Sequence, residues 1–174
     1  MTTLGAAFVI NGSYYSRRGT PDTPFLSDGA LLGPADYDAT QGAFVASSAT
    51  AGIHDLAHET WQTAFRAADN ALVSYPLLLG PNPPDRQIKA SRWLANRSFV
   101  GQDGAGKIIL GTTTNAFFSL ARLAAFLRTA PLGLTSALNL DGGPVACRRF
   151  RSAATAGASA ANGSFRSRTE RLSF

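Results

Sequence analysis

Ala137-Leu138-Asn139-Leu140-Asp141-Gly142-Gly143 is an apolar alternating run that stops abruptly at a carboxylate and two glycines. In an extended chain Leu138 and Leu140 share one face, and Asn139 and Asp141 the other, because successive side chains alternate. The glycines permit a sharp turn and a close approach of backbone. The stretch therefore predicts a buried strand that holds a carboxylate rigidly at its end, over a cleft. The competing reading is an ordinary β-turn whose Asp141 caps the loop.

Working upstream, Ser119 stands where an N-cap belongs, ahead of Leu120, Leu123, Ala124 and Leu127 on one helical face. That helix is expected to close near Pro131 and Gly133. Asn96–Gly101 and Lys107–Leu110 read as two strands joined through Gln102-Asp103-Gly104-Ala105-Gly106, a hairpin. Tyr75–Gly80 reads as a buried strand and Ala43–Ser47 as another. Ala6–Ile10 reads as a strand that runs into Asn11-Gly12-Ser13-Tyr14-Tyr15. Leu56, Trp61, Phe65, Ala68 and Leu72 recur at helical spacing without Pro or Gly, predicting a second helix from about Ile53 to Leu72. Residues 16–42 read as loops, with Pro24–Gly29 the ordered piece within them.

These pieces predict a single α+β domain over residues 1–150, a mixed sheet of short strands packed by two helices. Residues 151–174 read as a basic, Ala/Gly/Ser-rich C-terminal tail, with a weak strand starting at Arg166.

The chain has 174 residues, 45% of them hydrophobic and 16% charged, which is a globular composition. No apolar run approaches the roughly 18 residues that cross a membrane. Met1-Thr2-Thr3 supplies no basic segment and Asn11-Gly12 arrives early, so no signal peptide is read. Compartment is left unassigned. Residues 1–147 hold ten basic and ten acidic side chains, so the six Arg and one Glu of 148–174 carry the whole net charge of +5. A basic end can meet polyanions, but no aromatic-studded basic groove accompanies it, so no specific nucleic-acid partner is expected. Cys147, the single cysteine, excludes an internal disulfide.

Four stretches now form a recognisable order. Asn11-Gly12-Ser13-Tyr14-Tyr15 resembles Asn-Gly-Gly-Phe-Phe, and Asn96-Arg97-Ser98-Phe99-Val100-Gly101 before Asp103-Gly104 resembles an Arg-Thr-Ala-Ile-Gly strand and hairpin. Phe118-Ser119-Leu120-Ala121 resembles a helix start, and Asn139-Leu140-Asp141-Gly142-Gly143 a signature. Together, from about Ala6 to Arg149, they resemble the phosphodiester glycosidase domain family. Ser13 stands where that pattern has glycine, and Pro144 and Val145 where it has glycine and serine. The family pattern has further strands before the Asn-Gly motif, so a domain shortened at its N-terminus is expected. Relatives are commonly exported or periplasmic.

The resemblance implies hydrolysis of a sugar from a phosphodiester at the anomeric carbon. Asp141 suits a nucleophile or a base for water. Arg97 suits a clamp for two phosphate oxygens, because its guanidinium fork matches them. The alternative for Arg97 is a structural ion pair, with Asp141 itself as one partner. Asn11 and Asn139 are candidates to bind sugar hydroxyls or an acetamido group. Gly12, Gly142 and Gly143 would allow close approach, their N–H groups facing phosphate oxygens. Tyr14 and Tyr15 offer a stacking face. The substrate is thus a glycosyl phosphodiester or other carbohydrate, with no cofactor called for and a divalent metal not excluded. A different class is a non-catalytic carbohydrate- or polyanion-binding module on the same fold.

Three other features invite chemistry. Asp28 is a loop carboxylate, or simply a turn residue before Gly29. His54-Asp55-Leu56-Ala57-His58 resembles a zinc-binding helix motif, with Asp in place of its Glu and Glu59 the nearest third ligand. The alternative is a polar helix face. Cys147 beside Arg148 and Arg149 has a setting that lowers a thiol pKa, or is a small buried residue.

Overall fold

The computed structural model describes residues 6, 8–80, 88–146 and 148–150. The Ala137–Gly143 stretch forms the centre of a sheet. Strand β10 (Leu134–Leu140) lies between β7 (Leu77–Leu79) and β8 (Ser98–Asp103), with β9 (Ile108–Thr112) outside β8. A strand covered on both faces needs apolar groups on both, and Ala137 and Leu138 are fully buried. Ala137 faces helix α2 (Leu120–Thr129) in a core with Leu78, Phe99, Leu123 and Leu127. Leu138 and Leu140 share the opposite face, as alternation requires, and pack with Leu77, Val100 and Ile53.

Ile53 belongs to a second sheet. Its strands are β2 (Phe25–Ser27), β3 (Ala30–Leu31), β4 (Gly42–Ala46), β5 (Ala51–Asp55) and β6 (Asn70–Ser74), in the order β3-β2-β6-β4-β5. Phe44 and Leu72 extend from it into the core between the sheets. Ala43, Ala71 and Val73 point the other way, onto Leu56, Trp61 and Phe65 around helix α1 (Trp61–Ala64). A two-stranded ribbon pairs β1 (Phe8–Ile10) with β11 (Arg148–Phe150). The order of layers is α1, sheet, sheet, α2.

The α+β class and the two helices hold. Every pairing among these strands is antiparallel, so they form two antiparallel sheets and a ribbon rather than one mixed sheet. Tight connections such as those of β4–β5 and β8–β9 turn a chain back on itself and leave no room for a parallel crossover. The second hairpin closes as read: Asp103 Oδ1 accepts the N–H groups of Ala105 and Lys107.

The expected helix over Ile53–Leu72 is corrected. Ile53 lies in β5, only Trp61–Ala64 is helical, and Leu72 lies in β6. Leu56, Trp61 and Phe65 do converge on one core, but from a turn and a single helical turn. Leu72 faces the other core altogether. Thr60 caps α1 by accepting the Thr63 N–H, a start signal placed inside the supposed helix. Apolar spacing was satisfied by tertiary convergence instead of helical repeat. The readings made on Cys147 and residues 151–174 lie outside the described residues.

Candidate active site

Three segments far apart in sequence meet through their backbones at the end of β10. The Asp141 N–H donates to the Gly12 carbonyl at 2.9 Å, and the Gly143 N–H donates to the Asn96 carbonyl at 2.8 Å. A side chain on Gly142 would place its Cβ 2.7 Å from the Asn96 carbonyl oxygen, so only glycine lets these chains touch. Gly143 adopts φ +72°, the left-handed turn that starts a short 3₁₀ segment, Gly143–Val145. Asn11 completes the junction: its Oδ1 accepts from the buried Ser98 hydroxyl at 3.2 Å.

Asp141 is partly buried, and its Oδ1 accepts the Gly142 N–H at 2.8 Å. One N–H thus fixes the carboxylate. The phosphate contact expected of the Gly142 and Gly143 N–H groups is not free to form, because both are already engaged.

Arg97 is 7% exposed, immediately before β8. Its Nε donates to the Phe118 carbonyl at 3.1 Å and one terminal nitrogen to the Trp93 carbonyl at 3.2 Å. The guanidinium carbon stands 5.6 Å from the Trp93 ring centre, a cation–π distance. No carboxylate among the described residues comes within 4.0 Å of it, so the expected alternative of an Arg97–Asp141 ion pair is not what forms. Burial lowers the Arg97 pKa and the neighbouring Tyr14 opposes this. A guanidinium nevertheless stays charged. The site therefore contains a desolvated cation held by carbonyls.

Tyr14 stands electrically between the two charges. Burial, the first cause, with Tyr75 and Asp141, pushes its phenol up to about 12 against the opposing pull of Arg97 and the Asn139 hydrogen bond. Its hydroxyl donates to the Tyr75 carbonyl at 2.9 Å and accepts from Asn139 Nδ2 at 2.6 Å. Asn139 Nδ2 also reaches the Tyr75 carbonyl at 3.1 Å, while its buried Oδ1 has no partner among the described residues. The Tyr14 and Tyr75 rings stack with centroids 4.5 Å apart. Beside Tyr75 opens a cavity of about 280 Å³, lined also by Tyr37, Asp38, Thr40, Gln41 and Ser74.

Sequence reading missed Tyr75, Trp93 and the Phe118 carbonyl. Tyr75-Pro76 offered only a strand start, and a carbonyl has no sequence signal. Ser13 is structural: its buried hydroxyl meets that of Thr23 at the Val73 carbonyl. Asp28 lies exposed in the β2–β3 turn with φ +48°, which is the turn reading. The zinc-helix expectation is corrected too. His54 lies on β5 and pairs with Glu59 at 2.7 Å, while His58 lies in the following turn, 3.9 Å from Asp55.

The fold is of the α+β class, and at the end of β10 the Asp141–Gly143 turn is tied by backbone hydrogen bonds to Gly12 and Asn96. Residues 4–148 match the phosphodiester glycosidase family, and the chain belongs to that family. A similar solved structure is the catalytic domain of zebrafish N-acetylglucosamine-1-phosphodiester alpha-N-acetylglucosaminidase, auto-inhibited by its pro-peptide. It shares 20% identity at a TM-score of 0.58, over 83% of this chain and 53% of that one. The likeness is one of fold, and this chain spans about half of that protein's length. No curated protein matches the sequence. Among the described residues no helix is long and apolar enough to cross a membrane.

Proposed function

We propose that this protein hydrolyses a glycosyl phosphodiester at the anomeric carbon. The observation that carries the reading is Arg97, a buried guanidinium with no carboxylate partner among the described residues. A buried charge without a counter-ion is costly, and the single negative charge of a phosphodiester would supply one. Arg97 holds the phosphodiester oxygens through its remaining N–H groups. Asp141 acts at the sugar, as nucleophile or as base for water. The bond from the anomeric carbon to the bridging oxygen breaks, and its electron pair leaves on the phosphate. Water then supplies hydroxyl to carbon, directly or by displacing Asp141 from a glycosyl ester formed when the phosphate leaves. The water's proton passes through the Asp141 carboxylate to the departed phosphate or to solvent. A phosphate is a good leaving group, so a strong general acid is unnecessary. Asn11 and Gly12 meet the substrate beside Asp141, and Gly142 and Gly143 shape the turn that aims Asp141. Tyr14 lies along the substrate, and Asn139 is a positioning residue that orients Tyr14 and Tyr75.

Pro144 and Val145, where the family pattern has glycine and serine, favour a second reading: a carbohydrate- or polyanion-binding module without turnover. Hydrolysis of a panel of sugar-1-phosphodiesters by wild type and Asp141→Asn, with folding followed by thermal melt, separates the two. Turnover that drops at least about a thousandfold in a folded variant supports the hydrolase. A folded wild type that cleaves none of the panel favours the module, and a fully active Asp141→Asn removes the carboxylate from the reaction.

A further inference from the structure

The cavity beside Tyr75 has a chemistry unlike that of the Arg97 side. Among the described residues no lysine or arginine lines it, and Asp38 adds a carboxylate to its lining. A phosphate would be repelled there. Two phenols, from Tyr37 and Tyr75, and the Gln41 amide offer an amphipathic wall of the kind that grips a hydroxylated ring. Ser74 adds a buried hydroxyl that has no hydrogen-bond partner among the described residues. The loop is anchored and not merely draped: Gln41 Oε1 accepts the Leu77 N–H, and the Tyr37 carbonyl accepts from Trp61 Nε1 at 3.0 Å. At about 280 Å³ the space falls near the lower end, roughly 300 Å³, of ordinary small-molecule sites, room for one sugar ring and not a chain of them.

Tyr75 joins this cavity to the Asp141 junction. It lines the cavity, stacks on Tyr14, and its carbonyl takes the hydrogen bonds of Tyr14 and Asn139. Burial, then Tyr37 and Asp22, and then Asp141 all raise its phenol, so it lies within electrostatic reach of both places. We infer that the Tyr37–Tyr75 cavity is the subsite for the neutral sugar ring, with the phosphate on the opposite side of Tyr75, toward Arg97. This rests on the glycosidase reading, and it assigns the two halves of the substrate to two sides of one aromatic residue. The anomeric carbon that joins the halves then falls at Tyr75 and Tyr14, the two phenols that both feel the Asp141 charge.

The test uses the full chain and two independent readouts. Binding of methyl α-D-glucopyranoside, methyl α-D-mannopyranoside and N-acetyl-D-glucosamine is followed by saturation-transfer NMR, with inorganic phosphate as competitor. Hydrolysis of the phosphodiester panel is measured separately. Tyr37→Ala is expected to weaken sugar binding roughly tenfold and to raise KM more than it lowers kcat. Asp38→Ala, at an exposed loop position, is expected to shift the order of preference among the sugars while leaving the melting temperature near that of wild type. Phosphate should leave the sugar signals in place. Sugar binding that depends on Tyr37, in a chain that cleaves nothing, upholds the subsite and overturns the hydrolase. Turnover with KM unchanged in both folded variants does the reverse. No sugar binding by wild type, or displacement of sugar by phosphate, overturns the subsite.

Discussion

Arg97 and Tyr14 form a pair whose behaviour can be worked out one residue at a time. Arg97 gives two hydrogen bonds to backbone carbonyls and rests against Trp93. Lysine keeps the charge but has neither the fork nor the flat face for Trp93. Arg97→Lys should raise KM for a phosphodiester by roughly ten- to a hundredfold, the loss of one charged hydrogen bond of about 1.5–3 kcal/mol. Steady-state kinetics on the folded variant checks it, and an unchanged KM would detach Arg97 from the substrate. Tyr14 gives a prediction in pH. Its phenol is held at about 12 in the fold, against 10.0 when unfolded, chiefly by burial. Between those values the unfolded chain has released a proton that the native chain retains, so stability falls as pH rises. The melting temperature of wild type should drop faster between pH 10 and 12 than that of Tyr14→Phe. Tyr37 and Tyr75 shift in the same direction, so the variant should keep a residual slope. At this scale the sequence was informative where a residue's type states its purpose. An arginine in an apolar run and an aspartate before two glycines announced themselves. Tyr75 did not, because its place depends on where β7 begins relative to β10.

At the scale of elements, legibility followed how local the determinants are. Helix α2 was readable because cap and stripe lie within one stretch: Ser119 Oγ accepts the Arg122 N–H, and Leu123, Ala124 and Leu127 are buried. Ser119→Ala should cost about 1 kcal/mol, the usual worth of an N-cap, in a urea melt. Turnover should change little provided that the Phe118 carbonyl, one residue before Ser119, keeps its hydrogen bond from Arg97 Nε. The 53–72 segment was misread because its apolar residues serve two cores on opposite sides of one sheet. A periodicity count cannot see that division. The Asp141–Gly143 turn lies between these cases. Its glycines were visible, but the reason for Gly142 is the Asn96 carbonyl 46 positions upstream, 2.7 Å from where a Cβ would stand. Gly142→Ala must push two backbones apart. It should lower the melting point and remove most activity together, whereas Gly143→Ala strains a φ of +72° without that collision. A Gly142→Ala protein with wild-type melting and turnover would contradict this close packing.

For the whole molecule, the two sheets matter because the site hangs from the strand that joins their cores. Leu138 and Leu140 face the inter-sheet core, and Asn139 between them holds Tyr14 and Tyr75. Packing and site therefore share one strand. Leu123 is as deeply buried as Leu138, both at 0% exposure, but lies on α2 in the other core. Truncating either to alanine removes the same atoms, with an expected loss of about 2–5 kcal/mol that depends on how far each site collapses. Their effects on function should nevertheless diverge. Relaxation around Leu138 moves β10 against β7 and β8 and carries Asn139 and Asp141 with it, while relaxation around Leu123 is taken up by the helix. Measured well below both melting points, Leu138→Ala should lose turnover about tenfold or more, because sub-ångström placement governs reaction at a fixed carboxylate. Leu123→Ala should stay near the wild-type rate. Equal activity in the two variants, at matched stability loss, would mean that the Asp141 turn is held by its contacts to Gly12 and Asn96 alone, independently of the core beneath it.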